Sequence, residues 1–101
     1  DFEKLDIRVV QVLEAEAVPE TEKLIKLKID LGDSTRELVA GVALSYKPEE
    51  LVGKKVVILA NLQPRKIRGI VSNGMILCAK DEDGLSILVP ERDIPSGSIV
   101  S

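Results

Sequence analysis

The chain is 101 residues long, 45 % hydrophobic and 31 % charged, with a formal net charge of −3; that composition belongs to one globular domain over residues 1–101, not to a disordered segment. One cysteine excludes an internal disulfide, and the lack of any histidine removes the commonest general base and metal ligand. No apolar run nears the ~18 residues a membrane helix needs, no signal peptide is visible, and a cytoplasmic setting is expected. The start at Asp1 without Met fits a trimmed chain or one excised from a longer polypeptide.

Only Phe2 and Tyr46 are aromatic, so the core must be aliphatic, and richness in Val and Ile favours strands. Residues 6–17 alternate around Ile7, Val9 and Val12 and predict a long strand with a slip of phase near Val10. Pro19 ends it. Residues 24–31 predict the clearest strand, with Leu27, Ile29 and Leu31 on one face and Lys26, Lys28 and Asp30 on the other. Gly32-Asp33-Ser34 is a hairpin signal, and residues 36–41 return as a third strand.

Residues 43–51 are the one helical candidate, with Pro48 suited to a first turn and Gly53 as a stop. Residues 55–60 predict a strand buried on both sides. Residues 67–71 and 75–79 follow as strands, divided by Ser72-Asn73-Gly74. Asp81-Glu82-Asp83-Gly84 is a tight turn, residues 85–89 a last firm strand, residues 90–98 a loop with two prolines, and Ile99-Val100 a short strand or tail. Many short strands with one helix after the third predict an all-β fold, a five-stranded Greek-key OB-fold barrel.

Charge is unevenly placed. Residues 51–80 hold no carboxylate but carry Lys54, Lys55, Arg65, Lys66, Arg68 and Lys80, a charge of +6 that leaves −9 elsewhere. A segregated positive segment suits a polyanion. If residues 66–70 are extended, Lys66 and Arg68 share a face at ~7 Å spacing, near that of successive phosphates; the competing reading is a sheet edge blunted by charge. Asn61, Ser72 and Asn73 supply neutral hydrogen-bonding groups for a nucleic acid, or simply turn chemistry. Met75 is either an exposed flexible contact or core filling. Lys26 and Lys28 belong to a wet sheet face, whereas Lys23, in the loop before that strand, is freer to reach a ligand. The acidic turns indicate neither a catalytic pair nor a calcium loop. No cofactor is implied.

Asp6-Ile7-Arg8-Val9, Lys23-Leu24, Leu27 to Gly32, the run Ala60-Asn61-Leu62-Gln63-Pro64-Arg65-Lys66-Ile67-Arg68-Gly69, and Ser72-Asn73-Gly74-Met75 together resemble one family. It is the tRNA-binding OB-fold domain found as the C-terminal region or β subunit of methionyl-tRNA synthetase, and as stand-alone tRNA-binding proteins. The resemblance implies structure-specific tRNA binding without catalysis, with Lys23, Asn61, Arg65, Lys66, Ser72 and Met75 at RNA-contacting or motif positions and Arg68 as a neighbouring cation. It implies partnership with the synthetase's catalytic subunit or domain, and a homodimer. Residues 95–101 resemble the beginning of the family's dimer-forming tail. The chain departs from the family at Val10, where Gly is frequent, and at Gln11, where a basic residue is common. Related OB-fold proteins serve as dimeric secretion chaperones, which is the alternative function. With so few aromatics, base stacking on aromatic rings is not the main source of affinity.

Overall fold

The computed structural model describes residues 4–101. Strand β1 (Ile7–Ala17) is followed by β2 (Ile25–Asp30), β3 (Thr35–Ala40), helix α1 (Pro48–Leu51), β4 (Lys55–Leu59), β5 (Arg65–Ile67), β6 (Ile70–Ser72), β7 (Met75–Ile76), β8 (Cys78–Asp81) and β9 (Gly84–Ile87). The fold is all-β with one very short helix after the third strand. Five strands form a sheet in the order β3-β2-β1-β4-β7, and β5-β6 and β8-β9 are separate hairpins.

Alternation explains the core. Ile25, Leu27 and Ile29 on β2 are fully buried, while Lys26, Lys28 and Asp30 stay partly exposed. Val10 and Val12 of β1, Leu38 of β3, Val56 and Ile58 of β4 and Leu51 of α1 complete an aliphatic cluster. The predicted phase slip in β1 is present but lies later, where the register with β2 shifts between Val12 and Glu14. Val9 and Val10 are both buried because they face opposite sides of a doubly covered strand: Val10 joins the core cluster and Val9 does not. The helix is shorter than its candidate segment. Pro48 is tolerated only in the first turn, so the chain turns after Val42 and the helix begins at Pro48 itself, with Glu50 Oε1 accepting from Lys47 N at 2.9 Å.

The sheet curls until its edges meet, in a manner consistent with an OB-like barrel. Asn73 N donates to Glu37 O at 2.9 Å, and Val39 N donates to the Ser72 hydroxyl at 2.9 Å, so the segment between β6 and β7 is fastened to edge strand β3. The C-terminal segment lies along β1, where Val9 N donates to Ser98 O at 2.9 Å and Val100 N to Ile7 O at 2.9 Å. Gly97, with φ of +91°, permits this approach; a Cβ there would overlap the Leu31 carbonyl.

Candidate nucleic-acid interface

The cationic run Arg65-Lys66-Ile67-Arg68 folds differently from its expected form. Residues 66–70 are not continuously extended. Ile67 pairs with Ile70, leaving Arg68 and Gly69 as a two-residue hairpin turn. Their φ values, +51° and +81°, are the pair of positive angles that a type I′ turn demands. Lys66 and Arg68 therefore do not share one strand face. Arg65 stands opposite Ser72 and Lys66 opposite Val71. Cross-strand partners point to the same side, so Arg65 lies with buried Ser72 on the barrel side, Lys66 with exposed Val71 on the outer side, and Arg68 at the tip. The hairpin carries cations on both faces and at its end.

The wider positive segment is divided by structure. Lys55 Nζ lies 2.8 Å from Asp93 Oδ1 and 2.5 Å from Ile94 O. Lys54 stands 5.7 Å over the Tyr46 ring, a cation–π distance. On β2, Lys26 lies 3.4 Å from Glu37 and 3.6 Å from Glu16, and Lys28 lies 3.6 Å from Glu14. Hydrogen bonding to Glu37, and then that carboxylate's charge, raise the Lys26 pKa above its ordinary value. Among the described residues, no carboxylate forms an ion pair with Lys23, Arg65, Lys66 or Arg68. All four are exposed.

The neutral candidates are already engaged within the fold. Asn61 accepts from Asp6 N at 3.0 Å and donates to Lys4 O at 2.7 Å, so its amide fastens the segment before β1 to the end of β4. Ser72 is 4 % exposed; besides accepting from Val39 N it donates to Gly74 O at 3.2 Å. Asn73 lies beside the sheet closure through its backbone. Met75, in contrast, is 48 % exposed, while its neighbour Ile76 is buried and fills the core.

A groove of about 330 Å³ runs between the end of β3, the β5–β6 hairpin and β7. Arg65, Ser72 and Met75 line it, together with Leu62, Gln63 and Cys78 among others. Burial pushes the Cys78 thiol pKa up. Lys66, Arg68, Asn61 and Lys23 lie outside its lining, although the Lys23 carbonyl accepts from Ala43 N at 2.9 Å, one residue from Val42 on the groove wall. Arg36 on β3 is a functional candidate that sequence periodicity does not reveal. Its guanidinium donates to Ala60 O at 2.5 Å, bracing the start of the loop that delivers Arg65. Among the described residues, no group of three or more His, Cys, Asp or Glu side chains could hold a metal ion, and no helix is long and apolar enough to cross a membrane.

This small all-β scaffold pairs the lysines of one strand and, among the described residues, leaves the cations of one hairpin without ion pairs beside a groove, an arrangement suited to an anionic partner. The chain belongs to the family described as "Putative tRNA binding domain", which it matches over residues 7–99. It is 50 % identical over 100 residues to the methionine–tRNA ligase of Methanococcus aeolicus, an alignment covering 99 % of this chain and 15 % of that protein. The chain thus spans about 15 % of the length of the curated relatives it matches. The MetRS-related protein from Pyrococcus horikoshii shares its structure with a TM-score of 0.93 at 40 % identity, covering 99 % of this chain and 93 % of that one. Chaperone CsaA from Bacillus anthracis matches with a TM-score of 0.91 at 30 % identity, over 100 % and 94 % of the two chains.

Proposed function

We propose that this chain is a non-catalytic module that binds folded tRNA, built as a Greek-key OB-fold barrel, and that it assists a methionyl-type aminoacyl-tRNA synthetase as an appended domain or β subunit. The observation that carries this reading is the β5–β6 hairpin, whose three cations are exposed and free of ion pairs among the described residues. Arg65, Lys66 and Arg68 face phosphates, Met75 packs against the RNA, and Lys23 reaches in from the neighbouring loop. Asn61 and Ser72 act by holding the surface in shape, since their polar atoms are already bonded internally. Contacts that fall on phosphate and sugar give low sequence specificity. The methionine–tRNA ligases that contain a similar segment support the synthetase partnership. A cytoplasmic homodimer is part of the same reading, and two copies of the surface raise effective concentration on one ligand.

The test is charge reversal at Arg65→Glu with Lys66→Glu. Gel-shift titration with total tRNA should show binding abolished, with thermal stability nearly unchanged. For the unaltered protein, log affinity should fall with log salt by roughly 0.7–0.9 per phosphate neutralised. Unchanged binding by the double variant would refute the assigned surface. A second reading, a dimeric chaperone or protein-interaction module, is favoured by the CsaA likeness and by the apolar lining of the groove. Competition between tRNA and an unfolded polypeptide, beside light scattering of the free protein, separates the two.

A further inference from the structure

The groove beside Arg65 holds more apolar surface than phosphate binding needs. Phosphate contacts require exposed cations and do not call for an apolar slot. Yet Leu62 and Met75 stand 40 % and 48 % exposed, both lining the same groove. Its volume of about 330 Å³ falls at the small end of ligand sites, where apolar walls carry a few polar groups that fix orientation. Here those groups are Arg65, without an ion pair among the described residues, and Gln63, which is exposed on the groove wall.

We infer that this groove seats one unpaired nucleobase of the bound RNA, with the phosphate of the same strand on Arg65 and the base edge within reach of Gln63. The inference rests on the tRNA-binding reading and names the part of the RNA that this surface takes, a nucleotide of a loop or single strand. Bases in a duplex are stacked and cannot enter a slot, whereas loop bases splay out and expose their faces. Thioether and aliphatic side chains are soft, apolar partners for such a face, and they substitute here for the aromatic platforms that a chain with one Tyr and one Phe lacks.

Charge and hydrogen bonding favour a nucleotide over a peptide. An extended peptide binds chiefly by adding a strand to a free sheet edge. On the β3 and β7 side of the groove three backbone donors are already engaged: Val39 N on Ser72 Oγ, Asn73 N on Glu37 O and Leu77 N on Val57 O. A base needs no strand edge, and its phosphate complements Arg65.

Met75 is the sole methionine of the chain, so a ¹³C-methyl methionine spectrum gives one signal from the groove itself. A tRNA transcript at saturation should move that signal upfield through the ring current of the base. A blunt RNA duplex at matched occupancy should leave it in place. Met75→Ala should weaken binding of the tRNA about tenfold, by loss of one stacking contact, with duplex binding unaltered. The inference is overturned if the methyl signal stays still while tRNA is bound, or if the duplex moves it equally. It is also overturned if an unfolded polypeptide moves the signal and RNA does not, which would make the groove a peptide seat. If neither RNA binds at low salt, the tRNA-binding reading fails with it.

Discussion

Strand β2 and the hairpin β5–β6 both put cations on exposed positions of short strands, and the fold treats them oppositely. Across from Lys26 lies Glu16 on β1; across from Lys28 lie Glu14 on β1 and Glu37 on β3. Each lysine is closed off in ion pairs. Across from Arg65 and Lys66 lie Ser72 and Val71, which offer no charge. A cation is therefore surplus or structural according to the residues its register places opposite and diagonal to it, as in the diagonal pair of Lys26 with Glu37, since these neighbours are the contacts a sheet provides. The hairpin keeps its positive field because the sequence puts no carboxylate between Glu50 and Asp81.

Reversing charge in both regions sharpens that contrast. Arg65→Glu with Lys66→Glu should lower tRNA affinity by roughly a hundredfold or more at moderate salt, with Tm essentially unmoved, because no internal partner is lost. Next in size, Ser72→Ala leaves Val39 N without its acceptor where the curled sheet closes on β3, which costs ~1–3 kcal/mol. Thermal melts should drop by about 4–8 °C for each kcal/mol in a domain of this size. Well below the melt, tRNA affinity should change far less than in the hairpin variant. An affinity loss as large as that of the hairpin variant would place Ser72 on the RNA itself. Smaller again, Lys26→Glu with Lys28→Glu sets like charges against Glu14, Glu16 and Glu37. It should lower Tm modestly and leave tRNA affinity within a few-fold. Equal losses of affinity from the β2 and hairpin variants would mean that overall charge, and not the hairpin, attracts the RNA.

The alternating pattern of β2 made its faces legible, because period-2 burial is written directly in residue type; the unbroken aliphatic run of β4 predicted burial on both sides, whereas only Val56 and Ile58 are fully buried and Val57 and Leu59 are half-buried. The turn at Arg68-Gly69 was not. Type I′ turns are signalled by Asn-Gly or Asp-Gly, and an arginine at the first position looks like one more charge on a strand. Asn61 and Ser72 were visible as polar groups near the cations. Their partners inside the fold are non-local: Lys4 and Asp6 reach Asn61 by continuation of the β1–β4 pairing, and Val39 reaches Ser72 by the curl of the sheet, neither of which local periodicity encodes. Arg36 escaped for the same reason, since its partner Ala60 is 24 residues away. Met75 had two readings, and burial separates them: Ile76 takes the core and Met75 is left half-exposed in the groove.

Lys55 shows a third fate for a cation of the positive segment, and it yields the smallest predicted effect. Its ammonium donates to Asp93 Oδ1 and Ile94 O, pinning the loop that leads to the terminal segment along β1. The hydrogen bond from Lys55, and then its charge, hold the Asp93 carboxyl below its ordinary pKa. A carboxyl depressed in the folded state contributes stability above its unfolded pKa and loses it as pH falls through the folded value. The window therefore lies below the ordinary aspartate pKa of about 3.9, and the pin should be fully formed at neutral pH. Amide exchange at Gly97 and Val100, which donate to Val9 O and Ile7 O, should accelerate in that acid window relative to the β2 amides. In Asp93→Asn the excess acceleration should vanish, and tRNA affinity at neutral pH should be unchanged because Asp93 stands apart from the hairpin's cations. If the acid profile of Gly97 and Val100 were identical in Asp93→Asn, the terminal segment would be held by its backbone bonds to β1 alone, and Lys55 would rejoin the surplus cations.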